Sequence, residues 1–469
     1  MKNTKILVTY GPAVASAKKI AALVEAGANA IRINCSHGLT ADFLKAAGII
    51  HQGTQNARFP VGLVFDIAGP KLRLDRFQGE LTIKKGQKIT LQTGKSDLKN
   101  NRIGVSRPEI LKSVKKGERL FIDDGNLQFA VISVESNRVV IQAGNGGVIA
   151  SSKGINLPDS DIKIPTVGEK DREDIKTAIR ADADYIALSF VRSGDDILEA
   201  KRLIKKFGGR QKLIAKLERR EAIKALDEIM ALSDGVMVAR GDLGVELPPA
   251  ELPSLQKKIV SLANRYHRPV IIATQMLESM RYAPRATRAE INDVASAVFD
   301  YADAVMLSAE TATGKFPLEA VRTMDNVIRT TEKNLPVYHL ELDKHIVKPD
   351  IPLAIAQAVR EMSPSSQTRV VFAFTSTGFT AELISNLFPP QPIVALTPDK
   401  KIMGALSLYR SVYPVPVKQS RTFDDMLAVV NEVCRKYRLV SRGQKVIITG
   451  GVPLGMRKPT NFMMIHEVS

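Results

Sequence analysis

Along the first 335 residues, short continuous runs of apolar residues alternate with stretches whose apolar positions recur every three or four residues. The runs TKILVTY (4–10), ANAIRINCS (28–36), PVGLVFDI (60–67), DYIALSF (184–190), KLIAKLE (212–218), GVMVAR (235–240), PVIIAT (269–274) and DAVMLS (303–308) read as eight strands. Most are separated by one amphipathic helix. In the first, Ile20, Leu23 and Val24 share a face, Lys18, Lys19 and Glu25 are polar, and Gly27 stands where a helix C-terminus belongs. Continuous apolar strands joined by helical crossovers are strands of a parallel sheet buried on both faces, and eight of them predict an α/β fold, a (β/α)8 TIM barrel.

One connection breaks this rhythm. After the third run, roughly a hundred residues pass before the next helix, near Glu169, which is too long for a loop within a compact domain. That stretch carries LTIKKGQKITLQT, ERLFIDDGNLQFAVISV and RVVIQAG, β-type runs cut by Gly and Asn turns. It predicts an inserted all-β lid domain standing over the C-terminal ends of the barrel strands. Beyond 337 the pattern restarts with a helix from Pro352 to Met362 and the runs VVFAFTS, IVALT, VYPVPV and KVIITGG, a separate C-terminal α/β domain. The expected division is 1–69 with 166–336 for the barrel, 70–165 for the lid and 337–469 for the C-terminal domain.

Composition narrows the function classes. The 67 Lys and Arg against 49 Asp and Glu give a formal charge of +18. The basic residues are scattered, without aromatic interleaving and without a helix-turn-helix or zinc-finger pattern, so no nucleic-acid partner is expected. No stretch approaches membrane-spanning length and the N-terminal run meets Gly-Pro too soon for a signal peptide, so no membrane association and a cytoplasmic location are expected. Cys35 and Cys434, far apart in the chain, read as packing residues.

The candidate chemistry sits where the strands end. Arg32, Asn34 and Ser36 close the second run, Asp66 the third, Lys216 and Glu218 the fifth, and Arg240, Gly241 and Asp242 the sixth; Thr274 and Gln275 close the seventh, Ser308 and Glu310 the eighth. In a barrel these positions converge on one rim. A capped turn or an ion pair would explain any one of them. Glu218 and Asp242 offer two carboxylates to a hard cation such as Mg²⁺. Lys216, two residues before Glu218 on a strand, faces the same way and suits charge on a phosphoryl group; a structural Lys-Glu pair is the alternative.

The run SDGVMVARGDLGVELP (233–248), with IIATQMLESM (271–280), TRAEINDVASAVFDYADAVMLSAETATGKFPLEAV (287–321), LIAKLE, IRINCSHG (31–38) and TYGPA (9–13), resembles the pyruvate kinase family in the family's own order. The likeness extends to IDDG, KGINLP and PTVGEKDRED in the lid region and to TSTGFTAELI (375–384) in the C-terminal domain. It implies the last step of glycolysis, transfer of a phosphoryl group from phosphoenolpyruvate to ADP, giving ATP. It also implies Mg²⁺ or Mn²⁺ held by Glu218 and Asp242, and Lys216, Thr274, Arg32, Arg73 and Ser308 as catalytic residues. The substrate would meet Arg32, Thr274 and the turn Ala239, Arg240, Gly241 and Asp242. Pro12, Asn34, His37, Asp124 and Lys153 would face the nucleotide, and Asn34, Ser36, Asp66 and Lys71 would form a monovalent-cation site. A homotetramer is expected, with a phosphorylated effector at Thr375, Ser376, Thr377, Gly378 and Thr380.

Departures from the family accompany the likeness. Many members read Asp-Thr-Lys-Gly-Pro-Glu where this chain has Asp66-Ile67-Ala68-Gly69-Pro70-Lys71; Ala309 and Ala286 are further differences. With the Lys71 ammonium in place of a carboxylate, K⁺ is expected not to be required. The rival readings are another Mg²⁺ barrel enzyme of enolate chemistry, such as an aldol-type lyase, and a catalytically silent basic binding protein.

Overall fold

The structure, a computed structural model, describes residues 1–36, 38–160, 164–336, 350–365, 367–453 and 458–469. Eight parallel strands close into a barrel: Lys5–Thr9, Ala30–Asn34, Gly62–Ile67, Tyr185–Leu188, Lys212–Leu217, Gly235–Ala239, Val270–Ala273 and Ala304–Leu307. Each falls within one of the eight runs. The first helix, Ala17–Glu25, buries Ile20 and Leu23, and Ser16 caps its start by accepting from Lys19 N. Gly27 follows its end at a φ of +123°, a conformation without penalty only for glycine.

Strand parity decides what faces where. Alternate residues point to opposite faces, and Leu7, Ala30, Val64, Tyr185, Ala187, Ile214, Met237, Ile271, Ala273, Ala304 and Met306 pack together inside the barrel. Their neighbours Ile6, Val8, Ile31, Ile33, Leu63 and Phe65 pack outward against the helical layer. Ala405 and Leu408 of the C-terminal domain close the bottom of the interior cluster, and Tyr185 donates its hydroxyl to Ala405 O at 3.0 Å. The barrel bottom is therefore a structural plug, where Lys5 also donates from Nζ to Val412 O at 2.6 Å.

After Ile67 the chain enters the β insertion. A six-stranded sheet contains Lys88–Gln92, Arg102–Gly104, Arg119–Ile122, Leu127–Glu135, Arg138–Ala143 and Ile155–Asn156, and Leu81–Ile83 pairs with Gly147–Ile149. It has its own core around Leu74, Ile89, Leu120, Ile122, Val139 and Ile141. The chain returns to the helix Glu169–Arg180, whose Asp171 carboxylate accepts from Gly69 N and Gly168 N, both at 2.9 Å. One side chain thus ties together the exit and the return of the insertion.

The C-terminal α/β domain has four parallel strands, Val371–Phe374, Ile393–Thr397, Val412–Pro416 and Lys445–Gly450, with the helix Ile351–Ser365 before them. Sequence reasoning missed a fifth, Phe462–Glu467, which pairs antiparallel with Lys445–Gly450 at the sheet edge. Both cysteines are buried and free. Among the described residues no helix is long and apolar enough to cross a membrane.

Candidate active site

Following the interior parity past the apolar plug reaches polar side chains on six of the eight strands: Thr9 after Leu7, Arg32 and Asn34 after Ala30, Asp66 after Val64, Ser189 after Ala187, Lys216 and Glu218 after Ile214, and Ser308 after Met306. Thr9, Arg32, Asp66, Ser189, Lys216 and Glu218 form one buried network. Arg32 donates from Nε to Asp66 Oδ2 at 2.6 Å and from Nη1 to Thr9 Oγ1 at 3.0 Å. Lys216 Nζ meets Asp66 Oδ1 at 3.1 Å, Glu218 Oε1 at 2.8 Å and Ser189 Oγ at 2.7 Å. Phe190 N donates to Glu218 Oε2 at 2.8 Å.

Burial opposes charge on all of these groups, and the pairing decides which stay charged. Burial pulls the Lys216 ammonium down, but Asp66 and Glu218 outweigh it and hold its pKa above the ordinary lysine value. Burial raises Asp66, and Lys216 and Arg32 reverse that, keeping it below the usual carboxylate value. Glu218 is raised, first by burial and then by the nearby Asp242 carboxylate, with Lys216 opposing. Two carboxylates that repel each other at the rim are a donor set suited to a divalent cation. Among the described residues no group of three or more His, Cys, Asp or Glu is arranged to hold a metal alone. That suits Mg²⁺, which is commonly bound through one or two carboxylates with water and substrate oxygens completing its shell.

Lys71, at the base of the insertion, places Nζ 3.4 Å from Asp242 Oδ1. It therefore reaches the rim at the metal-type carboxylate. The ammonium seen at the Asn34 to Ser36 turn belongs instead to Lys170, which donates to Cys35 O at 2.7 Å; that residue escaped the sequence reading. Asn34 Oδ1 accepts from Ser36 N.

The turn after the sixth strand begins the short helix Arg240–Glu246. Its Gly241 N–H is already committed to Thr274 Oγ1 at 2.8 Å, and the Thr274 hydroxyl donates to Ala273 O at 2.6 Å. Thr274 and Gln275 both have positive φ, at 71° and 56°, a strained pair of non-glycine residues. Arg240 is anchored to Asp293 Oδ1 at 2.6 Å and Thr274 O at 2.7 Å. Glu310 is fully buried and turns back to accept from Leu277 N and Ser308 N, a capping role. Ser308 Oγ is buried with no hydrogen-bond partner among the described residues.

The remaining candidates are less tightly gathered. Pro12 opens a single 3-10 turn, Pro12–Val14. Arg73 donates to Ser152 O and Lys153 pairs with Asp123 Oδ1 at 2.7 Å, both contacts within the insertion. Asp123, Asp124 and Gly125 have successive positive φ values, a tight turn that lays Gly125 against Val245 of the barrel. His37 lies outside the described residues. In the C-terminal domain Thr375, Ser376, Thr377 and Thr380 line a cavity of about 230 Å³ with Phe379, Lys418 and Lys458. Thr375 Oγ1 accepts from Gly378 N and Thr380 Oγ1 shares a proton with Thr460 Oγ1.

A closed (β/α)8 barrel with a buried ammonium between carboxylates at its C-terminal rim, under a β insertion, defines a barrel enzyme built for anionic substrates. The family description "Pyruvate kinase, barrel domain" matches residues 1–321, and "Pyruvate kinase, alpha/beta domain" matches residues 353–466. A pyruvate kinase of Thermotoga maritima is 38% identical over 471 residues, covering all of both chains. One of Methylorubrum extorquens is 37% identical over 470 residues, covering all of this chain and 98% of the relative. One of Sporosarcina psychrophila is 38% identical over 473 residues, covering all of this chain and 81% of the relative. The chain belongs to the pyruvate kinase family, a phosphotransferase family whose members need a divalent metal.

Proposed function

We propose that this protein is a pyruvate kinase in activity, moving the phosphoryl group of phosphoenolpyruvate to ADP and leaving pyruvate. The observation that carries the reading is the Lys216 ammonium, buried and kept charged by Asp66 and Glu218 at the barrel rim. Phosphoryl transfer asks for positioning and charge stabilisation more than for covalent chemistry. Lys216 supplies a fixed positive charge to the transferring group, and Arg32, its plane set by Asp66 and Thr9, holds a phosphate oxygen. Glu218 and Asp242 would hold Mg²⁺ or Mn²⁺, which would supply positive charge to phosphoryl and enolate oxygens. The Ala239 to Asp242 turn orients the substrate carboxylate. Thr274 helps deliver a proton to the enolate once its hydroxyl turns away from Ala273 O, relaying one from water so that the hydroxyl is regenerated. Ser308, with its unpartnered hydroxyl, and Arg73 complete the set around the substrate.

The nucleotide meets Pro12, Asn34, His37, Asp124 and Lys153 as the insertion closes, which excludes water from the transfer. This assigns 1–69 and 166–336 to the catalytic barrel, 70–165 to the lid and 337–469 to a regulatory domain. K⁺ is not required, because Lys71 already brings a compact cation to the rim at Asp242. The cavity beside Thr375, Ser376, Thr377, Gly378 and Thr380, with Lys418 and Lys458 on its wall, receives a phosphorylated effector. The assembly is a homotetramer in the cytoplasm. A coupled assay for ADP-dependent pyruvate formation in the presence of Mg²⁺ tests the reading; its absence in folded protein refutes it.

A further inference from the structure

The turn that ends the fourth barrel strand does more than pass the chain to the next helix. The Lys216 ammonium has three N–H donors, and each has an acceptor: Asp66 Oδ1, Glu218 Oε1 and Ser189 Oγ. Two are carboxylates. The third is a neutral hydroxyl, yet at 2.7 Å it makes the shortest contact of the three. Ser189 is 3% exposed, and its own O–H donates to Asp66 Oδ1 at 3.3 Å. With its proton turned to Asp66, the hydroxyl presents a lone pair to Lys216, so it acts as an oriented acceptor.

The next residue extends the same grip. Phe190 has a φ of +58°, unusual for a bulky residue, and in that conformation its N–H reaches Glu218 Oε2 at 2.8 Å. Two consecutive residues thus hold Lys216 and Glu218 from the same side. A side chain on Gly69, at the lid connection, would come within 2.9 Å of Ser189 O, so the hinge packs directly on this turn. None of this is needed to fill the core, for which alanine at 189 would serve.

We propose that Ser189 is a positioning residue for phosphoryl transfer, its hydroxyl fixing the third N–H of Lys216 and hence the place of the ammonium relative to the transferring group. The inference rests on the reading of Lys216 as that cation. Without the hydroxyl, the ammonium is held only by two carboxylates and settles toward them, away from the substrate. Substrate binding by Arg32 and the rim turns is left in place, so the loss appears in kcat and in kcat/KM equally.

The test compares Ser189→Ala, Ser189→Thr and Ser189→Val, assayed for pyruvate formation per folded molecule. Ser189→Ala is expected to lower kcat about thirtyfold with the KM for phosphoenolpyruvate within about threefold of the parent. Thr and Val have nearly the same shape and differ by the hydroxyl, so crowding from the added methyl is common to both. A kcat for Ser189→Thr at least about tenfold above that for Ser189→Val, at similar KM, supports the proposal even where Ser189→Ala folds poorly. A smaller ratio, or a difference carried by KM, overturns it. Lys216→Ala runs alongside. Should it keep kcat within about tenfold of the parent, the reading of Lys216 itself fails; should it lose activity while Thr and Val behave alike, only the role of Ser189 fails.

Discussion

Replacing Lys216 by Ala removes a charge that the structure uses twice. On the proposed reading the ammonium acts on the transferring phosphoryl group, and losing it should cost on the order of 3 kcal/mol or more in the transition state, at least about a hundredfold in kcat. In the fold the same group lies between two buried carboxylates. Breaking a buried pair costs about 3–5 kcal/mol, and the lower end applies because Asp66 keeps Arg32 at 2.6 Å. The substitution is therefore expected to destabilise the barrel as well as silence it. The two losses are separable by pH. Burial and Asp242 raise Glu218 while Lys216 holds it down, so the variant's Glu218 titrates higher still.

A carboxyl raised in the folded state contributes stability that is fully present below its unfolded value and lost as pH rises through its folded value. The deficit of Lys216→Ala relative to the parent should accordingly be small near pH 4.5 and grow toward pH 8. Thermal melts of both proteins with a chelator at pH 5 and pH 8 measure it, alongside kcat from the coupled assay corrected for the folded fraction. A deficit independent of pH would refute the electrostatic account. A kcat within about tenfold of the parent would refute the catalytic one.

Glu218→Ala and Asp242→Ala should each move the midpoint of the Mg²⁺ or Mn²⁺ activation curve upward by about tenfold or more, and unchanged titrations in both would remove them from the metal. Lys71→Glu should lose activity in K⁺-free buffer and regain part of it with K⁺, whereas a large K⁺ activation of the parent would overturn the reading of Lys71. Asp184, below the barrel, has its carboxyl raised to about 7, mainly by burial, although it accepts from Leu63 N at 2.8 Å. Its contribution is present at acid pH and lost as pH rises through about 7. Asp184→Asn keeps the acceptor and should come closest to the parent below about pH 4 but exceed it by about 1 kcal/mol at pH 8.5, the figure reduced because the residue is partly exposed. Parallel melting curves across that range would contradict it.

How much of this was legible in the sequence depended on what each residue is paired with. Strands buried on both faces leave continuous apolar runs, so all eight barrel strands could be found, and polar residues at their ends pointed to the rim. The edge strand Phe462–Glu467 left no such mark, being partly exposed on both faces. Ser189 was readable in principle: it lies two residues beyond Ala187, on the interior parity that also carries Lys216 and Asp66. Inside the run DYIALSF it passed for one more strand residue, because a serine lacks the charge that marks Arg32 or Lys216. Partners distant in sequence were out of reach. Nothing local ties Lys71 to Asp242, or Lys170 to the carbonyl of Cys35, and only the closed barrel brings them together.

The charges at the rim explain why a divalent metal belongs to the reaction. Arg32, Lys216 and Lys71 face Asp66, Glu218 and Asp242, three cations against three carboxylates, each paired within 3.4 Å or less. Before substrate arrives the cluster is balanced, and its four buried members, Arg32, Asp66, Lys216 and Glu218, are paired with one another. Phosphoenolpyruvate and ADP then bring phosphate and carboxylate charge to a cluster whose own charges already cancel. Positive charge must enter with them, and two carboxylates that already repel each other are where it is best received. With Glu at 71, as in many family members, the same cluster would carry a negative excess even before substrate. A further monovalent cation would then restore part of the balance, which is why the Lys71→Glu variant is the sharpest test of the proposed K⁺ independence.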